Sequence, residues 1–173
     1  GGIWLSAAYP IFSEKFSSNM FSLSVAIKLC EMLRAESIEA HLKWPNDILF
    51  GSKKLIGFLP RVVTRGRETI YVRIGLGFNL LNKTPLEGIS LSEILKNKRI
   101  CEYYWTARIL KSINESIDCN DRSQYIIEKA NNYLIKKYLP KEYGFSDWVI
   151  KDIDQKGNLR IFNNSQQKIV KLF

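Results

Sequence analysis

Across 173 residues the chain has one histidine, three cysteines and five prolines. A lone His41 leaves no second imidazole for a metal pair and gives a histidine-based triad no support. Alternation places His41 on the same strand face as Glu39 and Lys43, a structural position. Cys30, Cys101 and Cys119 are odd in number and far apart, which signals neither a disulfide framework nor a zinc site and fits a reducing compartment. No apolar run reaches the roughly 18 residues of a spanning helix, and no charged leader precedes the apolar start, so a soluble protein with no membrane partner is expected. Basic residues are not interleaved with aromatics in any run, so nucleic acid is not expected as a partner. The net charge of +9 nevertheless favours an anionic ligand or partner.

With 46% hydrophobic residues, the chain can bury one substantial core plus a small appendage. Ile3 to Tyr9 reads as a buried strand. Ser18 or Asn19 is expected to cap a helix to about Arg34, with Phe21, Val25, Leu29 and Met32 inward and Lys28 and Glu31 exposed. Strands follow at Ile38–Trp44, Asp47–Phe50 and Lys54–Thr64, then a turn at Arg65-Gly66-Arg67. Leu91–Leu95 reads as a helical turn and Cys101 to Cys119 as a helix with Tyr103, Ala107, Leu110, Ile113 and Ile117 inward. Asp121 with Gln124 resembles a capping box for a last helix running to about Tyr138, which Pro140 closes. From Asp147 the chain alternates over three short strands. The fold class is α+β: a mainly antiparallel sheet with helices on one face, then a small β appendage.

Two stretches carry chemistry. Lys43-Trp44-Pro45-Asn46-Asp47, with Lys54-Leu55-Ile56-Gly57 after it, packs two lysines, a carboxylate and a carboxamide around a Pro-Asn-Asp turn. The bland alternative is ordinary turn chemistry between strands. The second stretch is Thr69 to Asn79. Alternation puts Ile70, Val72, Ile74, Leu76 and Phe78 on one face and Tyr71, Arg73, Gly75, Gly77 and Asn79 on the other. Glycines on one face of a β-branched strand are expected where a ligand or another backbone approaches closely, and a bulge or a packed neighbour is the competing reading. Asn79 ends that face with a donor and an acceptor suited to the edge of a base. Gly75-x-Gly77 is not a dinucleotide fingerprint, since neither a third glycine nor a helix follows. The binding cleft should lie where the glycine face meets the Pro-Asn-Asp turn.

Together these segments resemble the biotin protein ligase family: Lys43, Trp44, Pro45, Asn46 and Asp47, then Lys54, Leu55, Gly57 and Leu59, then Gly75, Gly77 and Asn79. Gly1 to Ser6 looks like the first strand after the family's arginine- and glycine-rich loop, which the resemblance places before Gly1. Pro60 stands where the family has an acid or amide, and hints at a strand edge or bulge. The resemblance implies a class II aminoacyl-tRNA synthetase-like catalytic domain at residues 1–140 and a shortened SH3-like barrel at residues 145–173. It implies a cytoplasmic ligase that uses ATP and Mg²⁺ to convert biotin to biotinyl-AMP. The acyl group then passes to a lysine of the biotin carboxyl carrier protein of acetyl-CoA carboxylase. The arrangement allows a homodimer. By the same resemblance Lys54 and Lys43 are the catalytic cations and Asp47 a magnesium ligand. Lys54, Gly57, Leu59, Gly75, Gly77 and Asn79 contact biotin or the adenylate. Asn46 is counted with them, and with Trp44 orders the turn. With the arginine loop outside these residues, residues 1–173 alone should fold without biotinylating a carrier. A lipoate-type acyl ligase and a non-catalytic nucleotide-binding or interaction protein are the alternatives.

Overall fold

A computed structural model describes residues 1–11, 16–66, 68–96, 99–119, 122–143 and 147–171. Its centre is a five-stranded antiparallel sheet in the order β1-β5-β4-β3-β2. The strands are β1 (Ile3–Pro10), β2 (Ala40–Lys43), β3 (Asp47–Phe50), β4 (Lys53–Arg65) and β5 (Glu68–Phe78). Helices α1 (Ser18–Arg34), α3 (Glu102–Asp118) and α4 (Ser123–Tyr133) complete the core, and the short α2 (Leu91–Leu95) follows β5. A second sheet, β6-β7-β8 (Val149–Ile153, Leu159–Phe162, Gln167–Val170), ends the described chain. Its Ile150, Ile153, Leu159 and Ile161 join the same buried cluster as α1 and the main sheet.

The alternation of β5 appears as expected, with Val72, Ile74, Leu76 and Phe78 buried, while Ile70 is exposed near the hairpin end. The opposite face of β1, β5 and β4 is left open. Helix α1 starts one residue earlier than expected, its cap being Ser17, whose Oγ accepts from the Met20 N–H. It is buried on nearly every side, so Lys28 and Glu31 are only partly exposed and pair at 3.0 Å. Burial opposes the Lys28 charge, but the hydrogen bond and charge of Glu31 outweigh it and raise the ammonium above its ordinary range.

Two helices correct the sequence reading. The inward face of α3 is Trp105, Ile109, Ser112, Ile113 and Ser116, whereas Tyr103 and Leu110 are exposed. Ser116 Oγ donates to the Ser112 carbonyl at 2.6 Å, so a buried hydroxyl is satisfied inside its own helix. These serines disguise the apolar stripe. Helix α4 ends at Tyr133, not near Tyr138, because the chain leaves the helix to pair with the edge of the sheet: the Ile135 N–H donates to the Leu42 carbonyl at 2.8 Å. The expected cap residue Asp121 lies outside the described residues. Pro60 does sit beside an edge, since β3 pairs with β4 only as far as Gly57.

Candidate active site

Strands β2 and β3 place Lys43 opposite Asp47 across the 44–46 turn, and β3 places Asp47 opposite Gly57. Asn46 holds the turn to the next strand: its Nδ2 donates to the Phe58 carbonyl at 2.8 Å, and the Phe58 N–H donates to the Asn46 carbonyl. Trp44 is buried, and its Nε1 donates to the Gly157 carbonyl at 3.2 Å. Both residues therefore order the turn.

Three charges meet beside it. Lys54 Nζ lies 2.5 Å from Asp47 Oδ1, and Lys43 Nζ lies 3.8 Å from Asp47 Oδ2. Gly57 makes this possible, because a β-carbon there would come within 2.5 Å of Lys54 Cε and 2.6 Å of its Nζ. The cluster carries one excess positive charge. Lys54 is about half exposed, and an exposed ion pair is worth only about 0–1 kcal/mol, so an arriving anion competes readily for the ammonium. Lys43 also lies 5.6 Å from the ring centroid of Tyr138.

The backbone of Lys54 is fixed by a loop the sequence did not single out. Beyond the end of β5, the Lys54 N–H donates to the Glu87 carbonyl and its own carbonyl accepts from Ile89. Asn79 joins this arrangement, its N–H donating to Leu55 and its Nδ2 to the Lys54 carbonyl at 3.2 Å. Asn79 Oδ1 accepts from Asn82 at 3.1 Å, which leaves one N–H and one lone pair of its carboxamide for a ligand.

The glycine face is built in cross-strand rows. One row is Trp4, Gly77 and Gly57, and the next is Ser6, Gly75 and Leu59. Gly75 has open space above it. Gly77 does not, because a β-carbon there would collide with the indole of Trp4. The cleared face is thus shared between a vacant position and a tryptophan platform that is 71% exposed. Trp4 is the site residue the sequence reading missed. Its place over Gly77 is set by strand register, which no local pattern in the sequence shows. Leu59, Gly57, Gly75, Gly77, Asn79, Asn46 and Lys54 line one depression of about 340 Å³ with Trp4. An adjoining cleft of about 720 Å³ holds Lys43, Asp47, Lys54, Asn79, Glu87 and Tyr138.

Magnesium was expected at Asp47. Both of its oxygens instead face lysine ammonium groups, and among the described residues no cluster of three His, Cys, Asp or Glu side chains could hold a metal. Asp47 would supply a single carboxylate to a magnesium ion held mainly by phosphates.

The fold and the charged turn have counterparts among known proteins. The Biotin/lipoate A/B protein ligase family model matches residues 3–79. The human "Biotin--protein ligase" is 29% identical over 100 residues, covering 49% of this chain and 14% of that one. "Bifunctional ligase/repressor BirA" of Bacillus spizizenii is 30% identical over 80 residues, covering 46% of this chain and 25% of that one. The match therefore spans a quarter or less of these relatives' length. Among solved structures, biotin protein ligase from Aquifex aeolicus gives a TM-score of 0.80 at 22% identity, covering 98% of this chain and 80% of that one. The same enzyme in complex with biotin and ATP gives 0.78 at 21%, with 98% and 75% covered. Residues 3–79 carry the family's sequence pattern, and the chain has the fold of the biotin protein ligases.

Proposed function

We propose that the protein containing this chain is a biotin protein ligase. The observation that carries this reading is the Lys54–Asp47–Lys43 cluster over Gly57, at one end of a glycine-floored trough and facing the cleft that holds Asn79. In the first step a biotin carboxylate oxygen bonds to the α-phosphorus of ATP. The bond to the bridging oxygen breaks, and pyrophosphate leaves with the electron pair. Two anions must meet for this, so fixed positive charge where charge develops supplies most of the rate. Lys54, exchanging Asp47 for the ligand, bridges the carboxylate and the α-phosphate. Lys43 adds charge at the phosphate side, and Asn79 reads adenine with its remaining donor and acceptor. Asp47 would offer its carboxylate to a magnesium ion, whose charge would offset that of the phosphates. In the second step the neutral amine of a carrier lysine attacks the acyl carbonyl, AMP leaves, and the amide forms with loss of a proton. Residues 1–140 act as the catalytic unit and residues 145–173 as a C-terminal unit, in the cytoplasm.

Biotin-dependent exchange of labelled pyrophosphate into ATP tests this reading. Lys54→Ala should lower the exchange about 10²–10³-fold with the fold intact. Near-normal exchange by that variant removes Lys54 from the mechanism. Measured beside it, residues 1–173 alone should bind biotin without transferring it to a carrier domain.

A further inference from the structure

Because α4 ends at Tyr133, the residues after it run beside β2. Leu134 bridges to Leu42, and the Ile135 N–H donates to the Leu42 carbonyl. Three residues further on, this path brings Tyr138 to the wall of the cleft that holds Lys43, Asp47 and Lys54. Tyr133, Leu139 and Tyr143 pack against the hydrophobic core, whereas Tyr138, half-buried, does not. Its hydroxyl donates to the Ser52 carbonyl at 3.5 Å, a long and weak bond. Neither packing nor hydrogen bonding accounts for an aromatic side chain at this place.

The ring meets Lys43 instead. The Lys43 ammonium lies 5.6 Å from its centroid, within cation–π range, and Lys137 approaches the same ring at 6.0 Å, the limit of that range. Asp47 holds Lys43 only loosely. Its Oδ1 is engaged by Lys54, and its Oδ2 stays 3.8 Å from Lys43 Nζ, beyond hydrogen-bond distance. A carboxylate that gripped Lys43 would also cancel its charge. An aromatic face orients an ammonium through its quadrupole and leaves the whole positive charge available to a phosphate. We propose that Tyr138 is a positioning residue for the adenylation step, its ring holding Lys43 at the phosphate side of the cleft. This rests on the reading of Lys43 as an active-site cation. Once Asp47 turns to a magnesium ion, the ring is the contact that still fixes Lys43.

Biotin-dependent pyrophosphate exchange by the full-length protein that contains this chain tests the proposal through a double-mutant cycle. Tyr138→Leu should lower kcat about three- to tenfold, the worth of a partly desolvated cation–π contact, with the KM for biotin unchanged. Tyr138→Gln serves if that variant does not fold. Tyr138→Phe keeps the ring, loses only the weak Ser52 bond and should exchange at close to the unsubstituted rate. In a Lys43→Met background, Tyr138→Leu should cause no further loss, because the ring then has no ammonium to place. A Tyr138→Phe variant as slow as Tyr138→Leu overturns the proposal, as does an equal loss from Tyr138→Leu with and without Lys43, or full exchange by Tyr138→Leu. Each of these leaves the ligase reading intact. Absence of biotin-dependent exchange in the unsubstituted protein overturns both.

Discussion

Gly57 is where a missing side chain does most for the chemistry. Removing its β-carbon lets the Lys54 stem cross the strand and reach Asp47, so the position of the central ammonium depends on an absence two strands wide. Any β-carbon at residue 57 meets the flexible end of Lys54 and not rigid backbone. Gly57→Ala should consequently fold with little change in melting temperature, because the lysine swings into solvent at small cost. Pyrophosphate exchange should fall nearly as far as in Lys54→Ala, because the charge is no longer positioned where it is needed. Thermal melting and exchange measured on one preparation check this. A variant that melts normally and retains full exchange shows that Lys54 does not need its path over residue 57.

Helix α2 is only five residues long, yet it anchors the segment carrying Asn79. The Leu91 N–H donates to the Asn79 carbonyl at 2.8 Å and the Ser92 N–H to the Leu80 carbonyl at 3.0 Å. A full capping box holds its start: Ser90 Oγ accepts from the Glu93 N–H, and the Glu93 carboxylate accepts from the Ser90 N–H at 2.8 Å. Ser90→Ala should cost about 1 kcal/mol, as cap removals do, and accelerate amide exchange through Leu80 and Leu91. The Ser90 N–H, and then its hydroxyl, hold the Glu93 carboxyl below its ordinary value. A depressed folded-state value stabilises the fold above the unfolded value of about 4.3, and the contribution is lost as pH falls through the folded value. Glu93→Gln should remove that acid-side dependence. Melting curves across acidic pH decide the point, and identical slopes for the two proteins count against the box.

At the scale of the whole molecule, the C-terminal sheet is tied to the site through side chains that capture backbone. Asn131 on α4 grips Ile153 from both sides, its Nδ2 donating to the carbonyl at 3.0 Å and its Oδ1 accepting the N–H at 2.8 Å. Asn19 Nδ2 donates to the Lys156 carbonyl and Trp44 to that of Gly157, so the β6–β7 turn rests on the start of α1 and on the Pro-Asn-Asp turn. Gly157 suits this place twice over, with φ at +83° and Asn19 Cβ 3.1 Å from where its own β-carbon would lie. Asn131→Ala leaves the Ile153 peptide unpartnered in a part-buried position and should cost about 1–3 kcal/mol. Denaturant unfolding measures that loss. A change within error shows that the shared core of Ile150, Ile153 and Leu159 holds the sheet without the clamp.

The sequence by itself determined the order of elements, the buried face of β5 and the residues of the charged turn. Those depend on local alternation and on turn chemistry, which a short window contains. It did not determine the buried face of α3, where Ser112 and Ser116 occupy positions a hydrophobicity pattern assigns to apolar residues, or the early end of α4, where an edge strand competes for the backbone. Nor did it show that Trp4 fills the space above Gly77, that Asp47 is held by two lysines, or that Tyr138 meets Lys43. Each of these is a relation between residues far apart in the chain. Strand register and packing bring such partners together, and no local preference encodes them.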